Sequence, residues 1–330
     1  MVNILDCTIR DGGYVNNWMF STKQVRECYR ALVKSHVDYM EIGFRDSIRT
    51  YSSVPVGPWK TCSESLIRST IGDIYTPTTR LALMVNFENV NLDLFPPRKS
   101  SLVSMIRIAF HEKDLDGVLE TAKHFKMLGY EVALNAMGIS YYDEQSLRHF
   151  CEIVVESNAD YAYIADTYGS LNQIRLARIW DIMSEYDVHV GYHAHNNLQK
   201  ALSNAVYCIQ KGAKLVDVTM HGMGRGAGNL CTELLLSEYS PLNVFPVVEY
   251  IADYLIHLDS LDKWGYSLVY FISGHLNIHP NYIWKMVQYN ITDIRQIWEV
   301  ASQIQESKRG NVFVVGLLDA AIESLDKNDD

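Results

Sequence analysis

Eight short apolar runs, separated by amphipathic stretches, constrain this 330-residue chain more than any other feature. They are VNILDC (2–7), YMEIGF (39–44), RLALMVN (80–86), LVSMIRIAF (102–110), EVALNAM (131–137), YAYIAD (161–166), HVGYHAH (189–195) and LVDVTMH (215–221). A strand that is apolar on both faces must be covered on both, which calls for a parallel sheet with helices outside it. The segments between the runs read as those helices. STKQVRECYRALVKS, KDLDGVLETAKHFKMLG, DEQSLRHFCEIVVESN, NQIRLARIWDIMSEYD and NLQKALSNAVYCIQKGA carry apolar residues at three- and four-residue spacing, and several open on Ser, Asp or Asn and close on Gly or Asn. The pattern predicts an α/β fold, a TIM (β/α)8 barrel over residues 1–244, with a doubly wound open sheet as the weaker alternative. Residues 45–79, which hold Pro55, Pro58 and Pro77, predict a long loop with a short helix. From 245 to 330 no strand-like run remains, and the periodicity predicts a helical C-terminal region that caps the barrel or forms an interface.

Composition narrows the function. Lys and Arg number 29 against 39 Asp and Glu, a net charge of −10, whereas a protein that grips nucleic acid through its backbone usually shows a basic face. No apolar run reaches the roughly 18 residues of a membrane span, and the chain opens on a strand-like MVNILDC, so neither nucleic acid nor membrane is expected and the location reads as cytoplasmic. The six cysteines (Cys7, Cys28, Cys62, Cys151, Cys208, Cys231) form no CxxC pair and read as reduced thiols.

In a barrel of this kind chemistry gathers at the C-terminal ends of the strands, so polar residues closing the apolar runs carry the weight. Asp11 follows the first strand, His193 and His195 end the seventh, and Asn229 follows the eighth; closure puts these strands side by side. Side chains two apart on a strand point the same way, with α-carbons about 6.5–7 Å apart, so the HAH pair can face one ion. Two imidazoles and a carboxylate leave open positions, as a catalytic ion needs, and with no cysteine expected nearby the set suits Mn²⁺, Mg²⁺, Co²⁺ or Zn²⁺. HGMGRGAGN (221–229) reads as a glycine-rich turn holding Asn229. Glu41 interrupts the second strand, where an unpaired carboxylate is costly, and pairing with Arg10 is the expected remedy. Arg45 and Arg107 can reach an anionic substrate, Arg49 reads as solvated, and Asn86, Asn135 and Asp166 close strands at the pocket.

RDG after the first strand, HxH at the seventh and GMGRGAGN after the eighth resemble, over residues 1 to about 240, the metal-dependent lyases and synthases built on TIM barrels, the HMGL-like superfamily. Within it DCTIRDGGY and IRIAFH (106–111) are most similar to the 4-hydroxy-2-oxovalerate aldolase branch, which adds His111 to the pocket. The resemblance implies a divalent ion, Mn²⁺ first, held by Asp11, His193 and His195 with Asn229 in or near the shell. It implies that Arg10 stabilises the enolate oxygen formed at that ion. It also implies a tyrosine from the C-terminal region, here Tyr270, with Tyr266 second. One position departs from the branch: Tyr14 stands where its members carry a histidine base. A phenol, with an ordinary pKa near 10, is a poor base at neutral pH, so Tyr14 either serves an altered mechanism or packs with Trp18.

The expected activity is a carbon–carbon lyase that converts a 4-hydroxy-2-oxo acid to pyruvate and an aldehyde, or the reverse, through a metal-bound enolate. Alternatives are a Claisen-type synthase joining an acyl-CoA to a 2-oxo acid and a non-catalytic partner barrel. The small-molecule 2-oxo acid is the expected ligand, a homo-oligomer is expected, and the resemblance adds an aldehyde dehydrogenase as a possible partner through the C-terminal helices. His275 and His279 stand four apart, but Pro280 makes a helix start there the simpler reading.

Overall fold

The computed structural model describes residues 2–45, 55–239, 243–256 and 264–326. In it the eight apolar runs form eight parallel strands: β1 (Asn3–Asp6), β2 (Tyr39–Phe44), β3 (Arg80–Asn86), β4 (Val103–Phe110), β5 (Glu131–Met137), β6 (Tyr161–Asp166), β7 (Val190–Ala194) and β8 (Leu215–Val218). Each pairs with its successor, and β8 returns to β1 with Asn3 opposite Leu215 and Asp6 opposite Val218, so the sheet closes and the open-sheet alternative falls. The five amphipathic segments are helices outside it: Thr22–Lys34, Leu115–Met127, Glu144–Ser157, Gln173–Met183 and Ala201–Lys211. Their caps follow from sequence. Ser21, Asp143 and Asn172 accept the backbone N–H groups of Gln24, Ser146 and Arg175, and Asn158 and Gly212 close two helices in the left-handed region.

The period of two along each strand decides what meets on the barrel axis. Leu5, Cys7, Tyr39, Ala82, Met105, Ala133, Tyr161, Tyr163 and Leu215 fill the lower interior as one apolar cluster. Two residues further along the same strands come Glu41, Arg107 and Asp217, so the next layer is ionic. Gly191 makes room for this packing: a Cβ there would lie 2.5 Å from the Tyr163 ring.

Within 45–79 the described residues form a 3₁₀ turn at Pro58–Lys60 and a helix at Glu64–Ile71. Phe245–Tyr250 begins a helix that widens into a π-turn over Ile251–Leu255, and its Val247, Tyr250, Ile251 and Leu255 join the apolar layer of the barrel. Helices Leu268–Leu276, Asn281–Gln288, Ile294–Glu306 and Val315–Asp326 surround a second apolar cluster that includes Ile272, Tyr282, Ile283, Met286, Ile297 and Leu318. The helical unit sits on the C-terminal end of the barrel. Asn197, after β7, donates to Tyr270 O (3.1 Å) and Ser273 Oγ (3.0 Å), and Tyr168, after β6, donates to Asn311 O (2.7 Å). His275 lies in the last turn of one helix, and the chain turns at Asn277 in the left-handed region before Pro280 caps the next, so the two histidines do not share a helical face.

Candidate active site

Past the end of β1 the chain turns into a short helix, Gly13–Asn16, and this turn presents Arg10 and Asp11. Trp18 Nε1 donates to Arg10 O (2.8 Å), so the indole fixes the backbone beneath the guanidinium. The glycines here give room for close approach. Gly12 is in the right-handed region at φ −59°, and a Cβ on Gly13 would lie 2.2 Å from the Trp18 ring. The sharp left-handed turns lie instead across the mouth, at Gly222, Gly226 and Gly228.

Arg10, Asp11, Glu41, Arg107, Asp217 and His193 close a buried ring of charges. Arg10 Nε meets Glu41 Oε2 at 2.5 Å and Arg10 Nη1 meets Asp11 Oδ2 at 2.9 Å, the pairing expected for Glu41. Glu41 continues to Arg107 Nη1 (3.0 Å), and Arg107 Nη2 donates to Asp217 Oδ2. Asp217 accepts from the Tyr163 hydroxyl (2.8 Å) and meets His193 Nδ1 (2.9 Å), while His193 Nε2 faces Asp11 Oδ2 at 3.1 Å. Three carboxylates against two guanidiniums leave one negative charge in excess beside His193. A proton on the imidazole or a cation between His193 and Asp11 would balance it.

The electrostatics follow. Burial opposes charge on Asp11, yet Arg10 and the His193 bond outweigh it and hold the carboxyl well below its ordinary range. Burial alone would lower His193, but Asp11 and Asp217 raise it. Burial dominates at His195 and pushes it down to about 3, leaving a neutral ring.

The donor set fits a divalent ion. Asp11 and His193 already converge, and Asp217 anchors the far nitrogen of His193, the second contact that orients a metal-binding imidazole. Asn229 donates through Nδ2 to Met223 O (3.0 Å), and its buried Oδ1 has no hydrogen-bond partner among the described residues, an acceptor left open. His195 does not follow the strand argument in full. β7 ends at Ala194, so the alternation is no longer imposed on His195, which sits in an isolated bridge opposite Asn229. Its ring lines the same cavity, edge-on to His193 at 5.2 Å between centroids, but lies outside the tightest donor cluster. That cluster is Cys7, Asp11 and His193, within 4.8 Å of one another, which corrects the expectation of no cysteine nearby. Cys7 was hidden by its place at the end of an apolar run. Burial pushes its thiol well above the ordinary range and Sγ donates to Val218 O (3.3 Å), so it is held as a thiol.

The cavity above the ring has a volume of about 70 Å³, and its walls include Arg10, Tyr14, Asn135, His195 and Arg225. Tyr14 both packs edge-on against Trp18 (4.6 Å) and faces the cavity, with the Arg225 guanidinium 4.0 Å over its ring. Glu41 and Arg107 lie under this cavity as part of the ring, not in its wall. Asp166 is turned to the backbone N–H groups of Ser170 and Leu171, and its carboxyl is raised by burial to about 7. His111 is half-buried beyond β4, its N–H held by Asp114, outside the cavity wall. Tyr270 lines a neighbouring cleft, Tyr266 is exposed, and Arg45 is buried against Cys62 O (2.7 Å) and Glu64. Arg49 lies outside the described residues. Sequence reasoning passed over Asp217, Tyr163 and Arg225. Asp217 carried a signal, a charge inside an apolar strand, as Glu41 did.

Residues 101–248 match the HMGL-like family. Over 242 residues the chain is 30% identical to the 4-hydroxy-2-oxovalerate aldolase of Brevibacillus brevis (strain 47 / JCM 6285 / NBRC 100599), covering 73% of this chain and 70% of that protein. It is 28% identical to the namesake enzyme of Geobacillus thermodenitrificans (strain NG80-2), with 71% and 68% covered. Among solved structures, the N-terminal domain of a protein described as an aldolase from Bacteroides vulgatus superposes with a TM-score of 0.77 at 30% identity, over 89% of this chain and 99% of that one. The carboxyl transferase domain of Rhizobium etli pyruvate carboxylase, with pyruvate, gives 0.70 at 14% identity over 99% of this chain and 61% of that one, a likeness of fold alone.

Proposed function

Because this chain belongs to the HMGL-like family of TIM-barrel lyases and is an aldolase-like carbon–carbon lyase acting on a small molecule, we propose that it cleaves a 4-hydroxy-2-oxo acid to pyruvate and an aldehyde, or runs the reverse addition. The observation that carries this reading is the buried ring with its single excess negative charge at Asp11 and His193, opening onto a cavity of about 70 Å³. At about 10–15 Å³ for each water-sized group, that space suits the six heavy atoms of pyruvate.

Asp11 and His193, with His195 and Asn229 beside them, would hold a divalent ion, Mn²⁺ before Mg²⁺, Co²⁺ or Zn²⁺. When bound, that ion supplies Lewis-acid polarisation of the 2-oxo carboxylate. Arg10 is pinned by Glu41 and Asp11 so that its guanidinium faces the cavity without reorganising, and it stabilises the oxyanion of the pyruvate enolate. Tyr14 Oη, shared by the cavity and the outer cleft, takes the 4-hydroxyl proton as it passes its own to water in the cleft, which is also the source of the proton later returned to C3. The C3–C4 bond breaks as that oxygen becomes the aldehyde carbonyl; the bonding pair passes into the enolate, and a proton returned to C3 gives pyruvate. Asp217 and Arg107 touch no substrate and serve by holding His193 and Glu41 in place.

Asn135 lines the small cavity and Tyr270 the neighbouring cleft, and both are assigned to substrate positioning in this reading. The helical C-terminal unit carries exposed Trp298, Val312, Val314 and Val315, apolar surface on which homo-oligomerisation or docking of an aldehyde dehydrogenase would draw. Light scattering of the chain alone and with a dehydrogenase separates the two. No described helix is long and apolar enough to cross a membrane. The test of the activity is pyruvate release from a panel of 4-hydroxy-2-oxo acids by metal-loaded protein. Turnover by wild type and none by His193→Ala is expected; release of free CoA from an acyl-CoA plus a 2-oxo acid, without aldol cleavage, overturns the reading.

A further inference from the structure

Beside the small cavity lies a cleft of about 710 Å³, ten times its size, between the Gly13–Asn16 helix, the glycine-rich loop after β8 and the Asn281–Gln288 helix. Tyr14 and Arg225 belong to the walls of both, so the two spaces meet at these residues. The carbons beyond C3 of an oxo acid seated against Arg10 and Asp11 would leave the small cavity by this junction and enter the cleft. The smallest aldehydes would leave nearly all of it empty.

The cleft wall has a definite chemistry. Asn281, Trp284 and Gln288 stand at i, i+3 and i+7, one face of their helix, while Tyr282, Ile283 and Met286 pack the opposite face into the second apolar cluster. Trp284 is 49% exposed, a broad apolar side chain left in the wall of a cleft. Around it stand the side-chain amides of Asn17, Asn281 and Gln288, each offering donors and acceptors at once. Arg225 donates to Asn281 Oδ1 (3.3 Å), which fixes that amide at the junction. Among the described residues of the wall Arg225 is the cation and no carboxylate is present. An aromatic plate ringed by amides matches a ligand with C–H faces and many hydroxyls, whereas a simple alkyl chain would leave the amides desolvated and unpaired.

We infer that this cleft is the subsite for the aldehyde half of the substrate, and that this half is a polyhydroxylated aldehyde of four or more carbons. The inference rests on the aldolase reading and names its substrate class. Trp284 stacks on the carbon chain, and Asn17, Asn281 and Gln288 bond its hydroxyls.

Two measurements test it. In the first, pyruvate release is compared for the 4-hydroxy-2-oxo acids derived from acetaldehyde and from a tetrose, with wild type, Trp284→Ala and Gln288→Ala. Wild type is expected to favour the tetrose-derived acid at least tenfold in kcat/KM. Either variant should lower that preference through KM while leaving the acetaldehyde-derived acid unchanged; both residues are exposed, so both variants should fold. In the second, saturation-transfer NMR with erythritol, irradiating aromatic resonances, reads binding without turnover; transfer in wild type that is lost in Trp284→Ala is expected. Turnover of both acids with equal preference in all three proteins, or no transfer to erythritol in wild type, overturns the subsite and leaves the aldolase reading standing. No pyruvate from any acid, even if erythritol binds, overturns both.

Discussion

Arg107→Met is the most informative single change in the interior. Arg107 is fully buried within the barrel, bridging Glu41 and Asp217 from a position stacked 4.4 Å over the Tyr163 ring. Methionine approximates its aliphatic stem and removes the charge. Two buried carboxylates then lose their shared counter-ion. Burial pushes Asp217 upward, and the Arg107 guanidinium is the first of the groups that outweigh it and hold the carboxyl below its ordinary range. Removing one partner of a buried pair costs about 3–5 kcal/mol, because the remaining charge is stranded in a dry interior. For a chain of 330 residues that corresponds to a fall in melting temperature of roughly 4–7 °C. The assay is thermal unfolding followed by circular dichroism at pH 7.5, with Arg107→Lys as control. Lysine keeps the charge but has no planar fork to span both carboxylates, so it should fall between the other two proteins. An Arg107→Met protein that melts within 1 °C of wild type (about 0.7 kcal/mol or less) would refute the claim that the ring is a coupled network.

Tyr14→Phe removes the hydroxyl proposed to relay the 4-hydroxyl proton and keeps the ring packed on Trp18; kcat should fall by about 10²–10⁴ with KM little changed, and an undiminished kcat would strip Tyr14 of that role. Asp6, fully buried between Thr232 and Thr8, has its carboxyl raised by burial to about 6, so across pH 4 to 6 the folded chain holds a proton that the unfolded chain releases. Its contribution to stability therefore falls as pH rises through that window, and urea titrations at pH 4.5 and 6.5 should show a smaller decline for Asp6→Asn than for wild type; an equal decline would contradict the assignment. Asn229→Ala should weaken binding of Mn²⁺, read by calorimetric titration, while lowering the melting temperature of the metal-free protein by no more than roughly 1–3 °C; unchanged affinity would remove Asn229 from the donor set.

The barrel was legible because parallel strands covered on both sides must be nearly continuous apolar runs, and β2 through β6 start or end within a residue of those runs. Ends of strands were less so. HVGYHAH reads as one strand, but its last histidine leaves the ladder to bridge Asn229, and nothing local marks the exit. Asp11 and His193 could be placed together from the order of strands in a closed barrel alone. The ring beneath them could not, since Arg107 and Asp217 are 110 positions apart and meet only when β4 and β8 face each other across the axis. A stricter use of one rule would have found half of it: the charge in LVDV is as costly unpaired as Glu41 in YMEIGF. The size of the outer cleft depends on where the C-terminal helices dock, through single hydrogen bonds such as Asn197 to Tyr270, and no periodicity encodes that.

The account stands on a cation seated between the Asp11 carboxylate and the His193 imidazole. Electron paramagnetic resonance of Mn²⁺ titrated into wild type, Asp11→Asn and His193→Ala reads that seat directly, because free and bound Mn²⁺ give different signals. One tight equivalent in wild type, weakened at least tenfold in both variants, is the expected result. Equal binding in all three proteins, or none in wild type alongside full pyruvate release in the presence of a chelator, would contradict it.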